Sequence, residues 1–377
     1  MIAILSSLAR ELEGQKLSNR TKNQHYVPRL LLRHFATGVE EEVQVFDSTR
    51  TLSRSSIVRR VFSQNFFYDD DNSMEAFLAK EIESPANGPI KAIVADPAQL
   101  IVPGHPALLL FIAVQMTRTP GARHELMNFV DAFSGSLFEQ LAELNDLSIE
   151  AVKNLRLRPK DPRAVGNELL LRSTLSCGLM EDLSWHVLTN STDLPFVISD
   201  HPVVHYNWYL KDSNDPGYTG ITKRGVQIFL PLSPSVTLAL IDKSVYKFGE
   251  KGSRCTELHD KRDVELLNSL QFRSRQDFIV FPLGMDAGYV QRCCTDLPAD
   301  SLGSVHASRT DPVPISDNKL SSYVIQWRRQ VSYANWLTVC RIKRRVSKRV
   351  VECFDRSPEN VAAYQTAVRE LFDQTNS

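Results

Sequence analysis

The sequence predicts an α+β protein: a helical N-terminal half packed on an antiparallel sheet, followed by a long basic C-terminal helix. Three observations carry that expectation. Up to about residue 182 apolar side chains recur mainly at helical spacing. From about 184 to 282 the chain breaks into short apolar runs separated by Pro, Asp and Gly turns, one strand following another without a helix between them. Beyond residue 318 the residues Val324, Trp327, Val331, Val339, Ile342 and Val346 form a stripe. With 377 residues, 42% of them hydrophobic, the chain suffices for two or three domains and at least one sizeable core.

In chain order, the expected organisation is a leader over 1–22, a helical half over 23–182, a sheet half over 183–294, a linker over 295–318 and a helical extension over 319–377. The apolar opening Met1–Leu8 has no basic residue ahead of it and reaches Arg10 and Glu11 too soon for a signal peptide. Pro28 suits a helix start, where its missing N–H costs nothing, and it places Leu31, Leu32 and Phe35 on one face. Val43–Asp47 alternates as a strand does, and Ser48–Arg50 forms the turn after it. Phe66–Tyr68 anchors a core before the solvated Asp69–Asp71 loop. Ser73–Ile93 reads as a helix on Phe77, Ile82, Ile90 and Ile93, interrupted at Pro85 and Pro89, with Glu75 and Glu83 on neighbouring faces.

His105–Arg118 is apolar nearly all round, so it is a buried helix; Gln115 and Arg118 share a face at its inner end, and Pro120 and Gly121 stop it. One or two helices follow over 124–158, and another over 167–177. Strands are expected at Ser184–Leu188, Phe196–Ser199, Val203–Tyr206, Gln227–Leu230, Val236–Leu240 and Phe278–Phe281, with a helix at Asp260–Ser274.

Composition narrows the partners. Forty-four basic residues balance 44 acidic ones, so nucleic acid or an acidic membrane would have to be drawn by a local patch. The most apolar run, Ala107–Val114, is far short of the ~20 residues of a membrane span. The six cysteines show no C-x-x-C spacing, which fits reduced thiols in a cytoplasmic protein better than a disulfide framework or a zinc motif.

Gln24-His25-Tyr26-Val27-Pro28, followed by Leu32-Arg33 and Phe35, resembles the opening signature of domain-of-unknown-function family 4238, whose members share an H-Y-V-P motif. Asn65-Phe66-Phe67-Tyr68 is similar to that family's N-F-Y-Y element, and Glu75 and Glu83 fall where its E…I-E helix lies. Phe111–Pro120 (FIAVQMTRTP) resembles its Q-x-x-R-T-P helix, and Phe196–Val204 (FVISDHPVV) its S-D-N-P-V strand-turn. Pro231–Pro234 and Leu267-Asn268 complete an ordered series over about residues 23–282. His34 and His201 each stand where Asn is usual. The resemblance implies a domain with a helical half and a sheet half, and brings no established activity.

Gln115 and Arg118 end a helix that demands burial, and a buried guanidinium without a partner costs several kcal/mol, so they must be paired. Glu75, Glu83 and Asp200 are the available anions; His25 and Arg29 sit at a turn-to-helix start, and Asp200 at a strand end before Pro202. One reading gathers His25, Arg29, Glu83, Gln115, Arg118 and Asp200 in a cleft between the helical and sheet halves. The other makes them a buried network that locks the halves together and binds nothing. As a pocket, His25, Glu83 and Asp200 would be catalytic, and Arg29, Gln115 and Arg118 would bind substrate. Arginines recognise phosphate or carboxylate, a histidine shuttles protons near pH 7, and two carboxylates hold Mg²⁺ or act as a general base. No G-x-S-x-G elbow, P-loop or Rossmann fingerprint competes with this kit. A zinc site from Asp200, His201 and His205 is a further candidate, without a third histidine nearby.

Between Ser321 and Arg349 the chain carries Arg328, Arg329, Arg341, Lys343, Arg344, Arg345, Lys348 and Arg349 and no acidic residue, with Tyr323, Trp327, Tyr333 and Trp336 interleaved. Arg341, Arg344, Arg345 and Lys348 are the candidate phosphate contacts, to nucleic acid rather than lipid; the bland alternative is a solvated helix face. The expectation is therefore a cytoplasmic hydrolase acting on a phosphoester or nucleic-acid substrate, such as a nuclease in defence against foreign nucleic acid. The alternative is a non-catalytic module that binds an anionic ligand or a partner.

Overall fold

A computed structural model describes residues 22–98, 105–297 apart from 214 and 216, 306–309, 313–316, 319–321, 324–327, 330–347 and 353–375. The N-terminal part holds more strand than its sequence suggests. β1 (Asn23–His25), β2 (Glu42–Asp47), β3 (Leu52–Ile57) and β4 (Ser63–Asn65) precede the first long helix, with a short helix at Arg29–Leu32 after β1. β1 and β4 pair antiparallel, His25 opposite Ser63. β2 and β3 form a hairpin whose turn is fixed by Asp47: its Oδ1 accepts from the Thr49 amide at 3.0 Å and the Arg50 amide at 3.2 Å.

Helices then follow as expected: Ser73–Phe77, a π turn at Leu78–Glu83, Ser84–Ala95, Pro106–Thr117, Pro120–Leu144, Ile149–Val152 and Pro162–Ser173, with a 3-10 segment at Thr174–Met180. Pro106–Thr117 is buried, and it packs on the 3-10 segment and on Pro162–Ser173. Pro120 begins a helix rather than only stopping one. At the first helical position it has no amide to leave unpaired, and the Thr119 hydroxyl caps the Ala122 amide. The chain breaks instead at Arg118 and Thr119, which turns the Arg118 side chain into the core.

The sheet half contains β5 (Ser184–Asn190), β6 (Ile198–Ser199), β7 (Val204–Tyr206), β8 (Gln227–Ser233), β9 (Val236–Ile241), β10 (Tyr246–Phe248), β11 (Cys255–Leu258), the helix Lys261–Ser274, β12 (Phe278–Phe281) and the helix Ala287–Asp296. β11-β5-β9-β8-β7 make a five-stranded sheet, antiparallel except where β11 lies parallel to β5. β3-β2-β12-β6 make a four-stranded antiparallel sheet. The class is α+β, but the two halves share a sheet: the β2–β3 hairpin from the N-terminal part joins β12 and β6 through the pairing of β2 with β12. The largest core joins them, burying Leu31, Leu32, Phe35, Phe111, Val114, Trp185, Val187 and Leu238 together.

The expected long basic helix from Lys319 to about Val350 is replaced, among the described residues, by strands, loops and one short helix, Arg344–Ser347. β13 (His306–Arg309) pairs with β16 (Val324–Trp327), β14 (Val313–Ser316) with β15 (Lys319–Ser321), and β17 (Cys340–Ile342) with β10. A run of cations with no acid at i±4 repels itself along a helix face, whereas Val339-Cys340-Arg341-Ile342 alternates as a strand does. Trp336, Leu337, Cys340 and Val346 bury in a second core with Tyr206, Phe229 and Tyr246. The C-terminal helix is Pro358–Thr375, in which Glu359, Glu370 and Asp373 outnumber Arg369. No helix among the described residues is long and apolar enough to cross a membrane.

Candidate functional site

Four sequence elements far apart in the chain are tied together by side-chain to backbone hydrogen bonds around β1. Gln24 is fully buried; its carbonyl accepts from the Tyr68 amide at 2.7 Å and its amide group donates to the Asp69 carbonyl and Oδ1, each at 3.0 Å. The Tyr68 hydroxyl donates to the His25 carbonyl at 3.1 Å. Gln115 Nε2 donates to the Tyr26 carbonyl at 3.0 Å, so the end of the Pro106–Thr117 helix is fastened directly beneath β1. Asp69 in turn accepts from the Met74 amide at 2.6 Å, which fixes the start of the helix carrying Glu75.

Arg118 is the centre of this arrangement. It is 1% exposed, and its three nitrogens are all engaged: Nε donates to the Tyr68 hydroxyl at 3.0 Å, Nη1 to Glu83 Oε1 at 2.9 Å and Nη2 to the His25 carbonyl at 2.7 Å. Burial disfavours the charge, but Tyr68 and Glu83 outweigh it and keep the guanidinium firmly protonated.

Above this layer lies a groove of about 470 Å³, whose walls include Asn23, His25, Arg29, Glu75, Glu83 and Asn87. Eight residues separate Glu75 from Glu83, which an uninterrupted α-helix would set about 80° apart. The wider π turn at Leu78–Glu83 winds less per residue and brings both to the same groove. Burial, aided by Glu83 and opposed by Arg118, pushes the Glu75 carboxyl up to about 7. Its Oε1 accepts from the His25 amide at 3.3 Å, while Oε2 is buried with no partner. Burial and the Arg29 and Arg118 charges pull the His25 imidazole down to about 4, so it is neutral at pH 7, and its Nε2 is also buried without a partner. Arg29 is exposed and has no ion-pair partner among the described residues.

The structure therefore divides the six candidates expected to form one cleft. His25, Arg29 and Glu83 line the groove. Arg118 and Gln115 lie behind it: Arg118 is engaged at all three nitrogens, while Gln115 is tied through Nε2 alone and its Oε1 is buried without a partner. Asp200 belongs to neither group: Oδ1 accepts from the Gln276 amide at 2.7 Å, and Oδ2 from the Asp277 amide at 2.7 Å and the Phe278 amide at 2.9 Å. Burial pushes its carboxyl up to about 7 against these three donors. Its work is to hold the turn into β12. Replacing it by asparagine sets an NH₂ group against amide donors, and the expected loss is about 2–3 kcal/mol of unfolding free energy in urea melts, against almost none for the exposed Asp193→Asn.

The groove is not the interface between helical and sheet halves, since every residue on its walls comes from 23–87. Nor does the proton shuttle expected of His25 near pH 7 fit an imidazole held neutral. Glu75, seen in the sequence only as an available anion, is the titrating group instead.

The zinc arrangement also dissolves. Asp200 is committed to backbone amides, His201 Nδ1 lies 2.5 Å from the Thr119 hydroxyl, and His205 is exposed on β7. Among the described residues no three His, Cys, Asp or Glu side chains group so as to hold a metal ion. Of the two carboxylates on the groove, Glu83 is already paired with Arg118. Arg341 is on β17 and Arg344 and Arg345 are in the short helix after it, all exposed; none lines the His25 groove, and Lys348 lies outside the described residues.

The family described as "Protein of unknown function (DUF4238)" matches residues 23–282, a range that includes the groove, the Arg118 junction and the Asp200 turn. No curated protein and no solved structure matches the chain.

Proposed function

As the chain belongs to the DUF4238 family of proteins of unknown function, whose description carries no activity to transfer, we propose that the His25 groove is the active site of a hydrolase acting on a phosphoester or nucleic-acid substrate. One observation carries the reading: Glu75 Oε2 and His25 Nε2, two buried polar atoms without partners, belong to residues lining one groove, whose exposed cations are Arg29 and Arg33, the latter already paired with Glu41. Buried polar atoms are nearly always paired, and two open ones at one groove are what a polar ligand would satisfy.

In the proposed step Arg29 binds the non-bridging oxygens of the phosphoryl group. Glu75, as its carboxylate, takes a proton from water; the oxygen of that water bonds to phosphorus as the ester P–O bond breaks. The proton then passes from Glu75 to the leaving oxygen, which restores the carboxylate. Neutral His25 offers a hydrogen bond that costs no charge. Arg118 acts at one remove, by holding the His25 carbonyl and Glu83.

Turnover of bis(4-nitrophenyl) phosphate, single-stranded DNA and single-stranded RNA tests the reading. Arg29→Ala should raise KM by about tenfold or more with a smaller change in kcat, because an exposed anchoring arginine contributes mostly uniform binding. If the wild-type protein turns over none of these yet binds inorganic phosphate through Arg29, the groove is a non-catalytic anion-binding site and the hydrolase reading fails.

A further inference from the structure

A second groove, of about 620 Å³, is lined by residues of β5, the end of β9, β10 and the turn after it, together with Lys343. Its walls carry Lys243, Lys247, Lys251, Arg254 and Lys343 against the single acid Glu250. None of these five cations has an ion-pair partner among the described residues, and all but the half-buried Lys343 are exposed. Part of the basic tail has thus been folded onto a basic stretch of the sheet half that its sequence did not single out.

The local sheet is built at a cost. On β10 Tyr246 and Phe248 turn inward and Lys247 outward; on β17 Cys340 turns inward and Arg341 outward. In the β10–β17 register Lys247 stands directly opposite Arg341, and like charges directly opposite one another destabilise a strand pair. Beneath them His186 is 8% exposed; its Nε2 is 3.2 Å from the Ser184 hydroxyl, while Nδ1 is buried without a partner. Gly249, at φ +59°, makes the turn after β10, where a Cβ would collide with Thr256 Oγ1. That turn carries Lys251 round to the same groove.

We propose that this groove binds single-stranded nucleic acid through its phosphates. A single small anion could neutralise one or two of these cations, but they are spread over the turn after β9, β10 itself, the β10–β11 turn and the residue just after β17, a layout that suits a chain of phosphates. The repulsion between Lys247 and Arg341 is the stability cost that such a ligand relieves. The site stands apart from the His25 groove and does not depend on that groove being catalytic.

The test uses the full chain, a labelled single-stranded RNA of about a dozen nucleotides, inorganic phosphate, and vesicles of anionic phospholipid. Lys247→Glu should weaken RNA binding by about tenfold or more at low salt, and should reduce the slope of log affinity against log salt by about 0.7 for each lost phosphate contact. The same substitution places an acid opposite Arg341, so it should raise the melting temperature of the free protein. Weaker binding in a more stable protein cannot come from misfolding. Lys251→Glu, on the exposed turn, should weaken binding without that gain. Arg29→Ala should leave RNA affinity at this site unchanged while raising the KM of whatever turnover the first groove performs. RNA affinity indifferent to both lysine variants, or independent of salt, would overturn the proposal. So would inorganic phosphate bound as tightly as the RNA, or capture by vesicles with none by RNA.

Discussion

Replacing Arg118 by methionine is expected to lower the free energy of unfolding by about 3–5 kcal/mol, the usual consequence of removing one partner from a buried ion pair. The guanidinium is 1% exposed and satisfies three acceptors at once: the Glu83 carboxylate, the Tyr68 hydroxyl and the His25 carbonyl. Methionine fills much of the volume and satisfies none of them. Glu83, at 22% exposure, still reaches water, so Glu83→Gln should cost much less than the arginine variant. The asymmetry is the informative part, together with the double variant Arg118→Met/Glu83→Leu, which should recover some of the loss because no unpaired charge is left behind. Urea unfolding of the three variants measures it. A loss of under about 1 kcal/mol for Arg118→Met, the range of an exposed pair, would show that the network contributes little to the fold.

That network was legible in the sequence as a necessity and not as a geometry. A helix apolar on every side that ends in Gln115 and Arg118 requires buried partners, and the partners are the His25 and Tyr26 carbonyls, the Tyr68 hydroxyl and Glu83. The strands from Ser184 to Ile241 and the helix Lys261–Ser274 were legible because their apolar periodicity is local. β1 and β4, of three residues each, have no periodicity to read, and the pairing of β2 with β12 joins residues more than 200 apart. Asp200 was misread for the same reason. A carboxylate at a strand end looks available until amides from residues 276–278 fold onto it. Glu75 was hidden by the π turn, since helical arithmetic at 100° per residue sets it on a different face from Glu83. In the tail, the apolar stripe read at helical spacing is divided among short strands, loops and the single-turn helix Arg344–Ser347.

Glu75→Gln is expected to lower kcat/KM on a phosphodiester by about 10²- to 10⁴-fold, the range for loss of a general base. Its pH signature separates it from a structural lesion. In the wild-type protein the base works as the carboxylate, so kcat/KM should rise with pH through about 7, where burial has placed the Glu75 carboxyl, and then level off. His25, pulled down to about 4, stays neutral across that range and adds no second limb between pH 5 and pH 9 beyond the ordinary spread of such profiles. A bound phosphoryl anion disfavours ionisation of its neighbour, so the midpoint for kcat should lie above that for kcat/KM. Stability should run the opposite way. Glu75 has its folded-state value raised from 4.5 to about 7, so between those values the folded protein binds the proton more tightly than the unfolded chain does, and stability falls as pH rises through that window. Glutamine cannot ionise, so the variant should be flatter in its pH–stability profile and more stable than wild type above pH 7, while nearly inactive. Loss of activity together with loss of stability at pH 8 would make Glu75 a structural residue. Activity retained in the variant, or a wild-type rate that does not change through pH 7, would remove it from the chemistry altogether.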